Sequence, residues 1–280
     1  MARAVRHQAD GASWLESGNG PAVVLLHGIP DTGEAWRPVA EALAPHFRCV
    51  APDLPGFGQS APPTRLDPLD GFAAITEGML QRMGTPRPFD LVVHDVGGAY
   101  GLAWAVRYPD AVRRLVILNT SFSPDRRWHA GARLLRMPVL GEIVVFALPR
   151  RPFIAAMRRA SNNNLSKETC GAVFDAFGPT ARQTALRLYR ALDPASFRGW
   201  ETALQDLTAR IPALVLWGDR DPYLPVTFSV RFGAAAVQHF GDLGHWPHRE
   251  APHLVAAALS DFLAAPRASH FTRRRPADSR

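Results

Sequence analysis

Between residues 90 and 108 an apolar run, LVVH, stops at an aspartate, passes two glycines and continues as a helical pattern. A strand that turns so sharply into a helix lifts one side chain above the end of a sheet. Glycines are required there because the backbones approach too closely for a Cβ. The lifted residue is Asp95, in the stretch His94-Asp95-Val96-Gly97. The helix N-terminus that follows directs its amides at that spot, which suits a carboxylate. An aspartate can also stand there merely as a helix cap. Against that bland role, three other strand ends carry polar residues that make chemical sense beside it.

The rest of the chain supplies the sheet. Short apolar runs at 23–27, 48–51, 91–94, 115–118, 213–217 and 237–240 alternate with longer helical patterns. Continuous apolar runs are what strands covered on both faces look like, so the expected fold is α/β, a mostly parallel sheet flanked by helices. Residues 3–17 predict a short antiparallel edge hairpin turning at 9–11. The rhythm breaks over residues 121–205, which carry helical patterning and no convincing strand. That is too long for a structureless loop, so it is expected to be a helical cap inserted over the sheet. The core is then 1–120 plus 206–265, and 266–280 is an arginine-rich disordered tail.

The first of the companion strand ends is LLHGIP, residues 25–30. In an elbow arrangement one amide after the nucleophile and one from this earlier loop stabilise an oxyanion; here they belong to Val96 and Ile29. The second is LVLWGDRDPYLP, 214–225, with two acids. Asp221 is expected to orient a histidine, leaving Asp219 to bond the loop. The third is GDLGHWPHRE, 241–250, where His245 follows a glycine and precedes the last helix, with His248 as its competitor. The order nucleophile, acid, histidine is the one this topology uses.

Composition narrows the function. A hydrophobic content of 47% with 20% charged residues is that of an ordinary globular enzyme. The net charge of +7 does not argue for nucleic acid. Nearly every base is arginine, spread along the chain, and the tail alone holds five arginines against one aspartate. No secretory signal or spanning segment is read, so a cytoplasmic location is expected. Cys49 and Cys170 have no disulfide or metal spacing and are expected to be buried and inert. No ligand cluster for a metal or organic cofactor is seen, and the chemistry needs none.

With these pieces in place the sequence resembles the α/β-hydrolase superfamily, and within it the haloalkane dehalogenase and epoxide hydrolase group. The resemblance covers about 13–264. It is carried by HGIP with Trp36 shortly after, DLPGFGQS at 53–60, HDVGG at the elbow and LVILNT at 115–120. It implies Asp95 as nucleophile, His245 as base, Asp221 as orienting acid, and Ile29 and Val96 as oxyanion donors. Some dehalogenases take the acid from the strand end at 118–120, where this chain offers the neutral Asn119. Two departures stand out. Dehalogenases of this group usually have tryptophan after the nucleophile and asparagine after HG; this chain has Val96 and Ile29. Epoxide hydrolases normally use two cap tyrosines, and the cap here has only Tyr189. Tyr189, Trp128, Trp200 and Trp36 are therefore the candidate substrate-binding residues.

The chemistry of a carboxylate nucleophile points the same way. Attack on an ester would give an anhydride, an uphill exchange. Attack on an sp³ carbon bearing a leaving group or strained ring gives a stable alkyl ester, which water then cleaves. The expected reaction is epoxide opening, with haloalkane dehalogenation by the same route as the alternative. A catalytically silent member of the fold that binds a ligand or partner is the alternative from another class. The expected partner is a small, apolar to moderately polar molecule.

Overall fold

The computed structural model of the chain describes residues 3–266. Its centre is one eight-stranded sheet of β1 (Val5–Ala9), β2 (Ala12–Ser17), β3 (Ala22–Leu26), β4 (Arg48–Pro52), β5 (Phe89–His94), β6 (Val112–Leu118), β7 (Ala213–Gly218) and β8 (Ala236–Phe240). The strand order is 1-2-4-3-5-6-7-8. All pairings from β4 to β8 are parallel, and β1 and β2 form the expected antiparallel edge hairpin, closing at Ala9 opposite Ala12. Each apolar run of the sequence is a strand. The last of them, β8, is an edge strand whose exposed residues carry less apolar burial than its neighbours.

Period-two alternation divides the core. Val24, Leu26, Leu91, Val93, Leu115, Ile117, Val215 and Trp217 face one side, against α2 (Asp70–Arg82) and α3 (Val96–Arg107). Val23, Leu25, Cys49, Val92, Val116, Leu118, Leu214 and Leu216 face the other, against α1 (Arg37–Leu43) and the C-terminal helix. Both sheet faces are thus sealed, and the strand ends are the surface left for chemistry.

Between β6 and β7 no strand occurs among the described residues. The chain passes instead through α4 (Ala130–Arg136), α5 (Leu140–Ala147), α6 (Arg150–Ala160), α7 (Lys167–Ala176), α8 (Pro179–Ala191) and α9 (Trp200–Thr208), the last running past residue 205. This insert is tied to the loop after β8: Ala160 O accepts from His245 N at 2.9 Å, and Asn164 Nδ2 donates to Asp242 O at 2.8 Å. The chain then closes with α10 (Pro247–Glu250) and α11 (Pro252–Ala264).

Both cysteines are buried, and burial pushes the Cys49 thiol up to about 12. No helix among the described residues is long and apolar enough to cross a membrane. The arginine-rich tail falls, past Pro266, outside the described residues.

Candidate active site

Four strand ends bring the candidate residues together. At the end of β5, Asp95 adopts φ 47° and ψ −122°, a backbone conformation that costs an L-residue a few kcal/mol (about 1–3) and holds the carboxylate above the sheet. Close approach makes this possible. A Cβ on Gly97 would lie 2.4 Å from His27 O, and one on Gly28 would lie 2.4 Å from Asp95 Cβ. Asp95 Oδ2 accepts from the Ile29 amide at 3.0 Å. Val96, the first residue of α3, has no acceptor for its amide within the helix. The loop presenting Ile29 is held by His27, whose Nε2 accepts from Leu54 N at 2.9 Å. It is held also by Asp31, paired with Arg249 at 2.9 Å.

His245 stands across from Asp95, its Nε2 3.8 Å from Asp95 Oδ1, which is too far for a hydrogen bond. Its Nδ1 lies 2.7 Å from Asp221 Oδ2. Asp221 is buried yet fully satisfied. Oδ1 accepts from Tyr223 N at 2.8 Å and Leu224 N at 3.2 Å, and Oδ2 also accepts from Asn119 Nδ2 at 2.9 Å. Burial works against charge on both partners. His245 and those hydrogen bonds nevertheless hold the Asp221 carboxyl below its ordinary value. Asp221, with Asp95 behind it, raises the His245 imidazole. Asp219 turns elsewhere, to His239 Nδ1 at 2.7 Å on β8. Replacing Asp221 by Asn is therefore expected to cut turnover by roughly 10³-fold or more, by analogy with the loss when a triad acid is neutralised. Asp219→Asn should leave turnover within about threefold. Steady-state kinetics on the two variants decides between the acids.

A cavity of about 280 Å³ opens on Asp95 and His245, walled mainly by aliphatic and aromatic side chains of the insert such as Leu135, Val145, Phe153 and Leu186. Tyr189 lines it. Trp128 lines, with Tyr189, a separate narrow pocket beside Asp95, its ring edge-on to that tyrosine at 5.5 Å and its indole N–H buried without a partner. The other two tryptophans are not in the lining. Trp36 is fully buried below the site and stacked on His248 at 4.2 Å. Trp200 packs edge-on to Phe122 and under Arg107. His248 likewise stays in the core, so it does not compete with His245.

Several site residues carried no signal in the chain. Asn119, read only as a neutral residue where an acid can stand, clamps Asp221 and exchanges hydrogen bonds with Gly218 at 2.9 and 3.1 Å. His94 replaces the usual elbow glycine and bonds His245 O through Nε2 at 2.7 Å; burial lowers its pKa to about 4, so it is a neutral strut. Glu250 accepts from Gly244 N at 2.7 Å and Trp246 N at 3.0 Å, gripping the histidine loop from both sides. Arg126, His129 and Tyr223 line the cavity. Of these, only Tyr223 could have been anticipated, from its place two residues after Asp221.

A family model described as the alpha/beta hydrolase fold matches residues 21–169. The chain belongs to the α/β-hydrolase superfamily, in the group of haloalkane dehalogenases and epoxide hydrolases, and is an enzyme of that class. It is 30% identical over 287 residues to a cis-3-alkyl-4-alkyloxetan-2-one decarboxylase of Xanthomonas campestris, covering 90% of this chain and 91% of the relative. It is 29% identical over 262 residues to haloalkane dehalogenase 2 of Mycobacterium tuberculosis, covering 88% and 89%. The Cif epoxide hydrolase of Acinetobacter nosocomialis, 21% identical, superposes with a TM-score of 0.80 over 94% of this chain and 89% of that one, a likeness of fold.

Proposed function

We propose that the protein opens an activated C–O bond at an sp³ carbon, an epoxide first of all, through an alkyl ester on Asp95. The observation that carries this reading is the division of labour on the Asp95 carboxylate: Oδ2 is bonded to the Ile29 amide, while Oδ1 faces His245 Nε2 without a bond. Oδ1 is then the attacking atom. The ring C–O bond breaks, its electron pair stays on the ring oxygen, and Tyr189 supplies the proton that oxygen needs. Oδ2 becomes the carbonyl oxygen of the ester and already sits in its donor site, with the Val96 amide as the second donor.

Esterification also changes the base. Once alkylated, Asp95 loses the charge that helps raise the His245 pKa, so the imidazole moves toward the neutral form exactly when it must accept a proton from water. Water enters between His245 and the ester carbonyl, and Asp221 stabilises the imidazolium that results. In the same reading residues 121–205 act as a cap over a small-molecule cavity, and the enzyme works in the cytoplasm.

A halide leaving group is the second reading. It draws on the unpartnered Trp128 indole beside Asp95 and on the name of the mycobacterial relative. The name of the Xanthomonas relative adds a four-membered C–O ring, the oxetan-2-one. A panel of 1,2-epoxyoctane, 1-bromohexane and 4-hexyloxetan-2-one tests these. Diol from the epoxide is expected, with bromide release slower. Bromide release outpacing diol formation would move the reading to dehalogenation, and no turnover of any of the three would leave a silent binder.

A further inference from the structure

Among the described residues Arg126 is the only lysine or arginine that lines the cavity, and its charge feels Asp95 and Asp221 only at longer range, with no ion pair of its own. Asp125, its neighbour in the chain, is paired with Arg231 at 2.7 Å. The cation within salt-bridge reach of Asp95 is His245. No side-chain hydrogen bond or ion pair engages the Arg126 guanidinium, which lies over the Trp128 ring at 4.1 Å beside Tyr189. Holding a guanidinium in a largely apolar cavity without an anion costs free energy, and the cavity offers no carboxylate but Asp95 itself. The positive charge therefore awaits an anion that arrives with the substrate or forms from it.

The chemistry of the group narrows which anion. An alkoxide born from an epoxide is a strong base that needs a proton, and a guanidinium, which holds its protons tightly, is a poor proton donor. Tyr189 fits that task better. A carboxylate needs no proton at neutral pH, and its two oxygens match the planar fork of arginine. Contact with the Trp128 ring face helps to hold the guanidinium in place.

We propose that Arg126 is a carboxylate-binding residue, and that the site selects substrates with a carboxylate one or two bonds from the carbon that Asp95 attacks. Two sources satisfy this. The carboxylate can be carried in by the substrate, as in a 2-halo acid. It can also be born in the reaction: Asp95 Oδ1 attacks the sp³ ring carbon of an oxetan-2-one, the alkyl C–O bond breaks, and the electron pair leaves as a carboxylate. Water then cleaves the Asp95 ester, returning the enzyme and a 3-hydroxy acid, so one lactone and one water balance. Turnover from either source rests on the reading of Asp95 as nucleophile; the binding of a carboxylate by Arg126 does not.

The test has a binding arm and a kinetic arm. In the binding arm, calorimetry measures octanoate against Asp95→Asn, which keeps the shape of the site and removes the competing anion. The expected result is octanoate binding that falls about ten- to hundredfold when Arg126→Gln is added, is only partly restored by Arg126→Lys, which keeps the charge without the fork, and is not matched by 1-octanol. In the kinetic arm, the ratio of kcat/KM for 4-hexyloxetan-2-one to that for 1,2-epoxyoctane should fall at least tenfold in Arg126→Gln. The loss should lie in kcat, because that carboxylate exists only from the transition state onward. An effect on octanoate alone identifies a carried carboxylate, and an effect on the lactone kcat alone a nascent one; either supports the assignment. Arg126-dependent octanoate binding in a protein that turns over nothing would sink the Asp95 mechanism and leave this site standing. Octanoate affinity and the substrate ratio both indifferent to Arg126→Gln would overturn it.

Discussion

Asp95→Ala is expected to lower turnover of any accepted substrate by roughly 10⁴-fold or more, the scale on which removing a covalent nucleophile acts. Its melting temperature should stay within about 3 °C of the parent. The two expectations belong together. Asp95 is held at a positive φ, and its carboxylate faces a cavity, touching the Ile29 amide rather than filling the core. What the alanine variant loses, in the proposed mechanism, is the atom that forms the ester, while the β5–α3 turn is set by the glycines and His94 around it. If Asp95 served only to cap α3, the outcome would invert. Stability would drop by about 1 kcal/mol, as cap removal does, and activity would survive. Thermal melts run beside progress curves separate the two.

His245→Gln should stop the reaction halfway. The first step requires an ionised Asp95 and no base, whereas the second requires a proton acceptor for water. The variant is therefore expected to release no product beyond a slow leak, roughly 10²- to 10⁴-fold below wild type. It should accumulate one equivalent of adduct per chain. Intact-mass measurement reads the adduct and the chemistry at once: an epoxide or a lactone adds its whole mass, whereas a haloalkane adds its mass less that of the hydrogen halide. The wild-type enzyme gives the matching pH signature. Hydrolysis of the ester should slow as pH falls through the His245 pKa, since the protonated ring is no base. Because Asp221 raises that pKa, the acid limb should move to lower pH in Asp221→Asn even as the rate drops. A limb that does not move in that variant would mean His245 is not the titrating group.

Much of this site was legible in the chain because its chemistry sits where strands end. The strands could be read since sealing both faces of a parallel sheet demands unbroken apolar runs such as Leu115–Leu118 within β6, and each run delivers its next polar residue to the same edge. Asp95, Asp221 and His245 were found that way. Asp221 was favoured over Asp219 in the sequence, but two acids two residues apart in a loop differ only in which way they turn, and the structure shows Asp221 on His245 and Asp219 on His239. The supporting roles of Asn119, His94 and Glu250 went unread for a related reason. Their work consists of hydrogen bonds to residues 99, 151 and 6 positions away, and no local pattern encodes such partners.

The insert was less transparent still. Tryptophans at 36, 128 and 200 look equally suited to a binding site in sequence, yet bulk alone drives all of them toward cover. Only Trp128 comes to rest beside Asp95. Arg126 was hidden by its setting, one arginine in a stretch with Arg127, Arg133 and Arg136 close by. Its distinction is an absence of partners that emerges only once every neighbour has been paired.

The ester on Asp95 is the claim on which the rest depends, and the oxygen in the product tests it directly. In a single turnover in oxygen-18 water, with enzyme in excess over 1,2-epoxyoctane, water attacks the ester carbonyl. The oxygen left on the substrate carbon is then one that Asp95 already owned. The first-turnover diol should carry no solvent label, and the peptide containing Asp95 should gain 2 mass units (about one oxygen-18) after digestion. Product labelled in full in that first turnover, with the Asp95 peptide unshifted, would mean that water attacks the substrate directly and would contradict the mechanism.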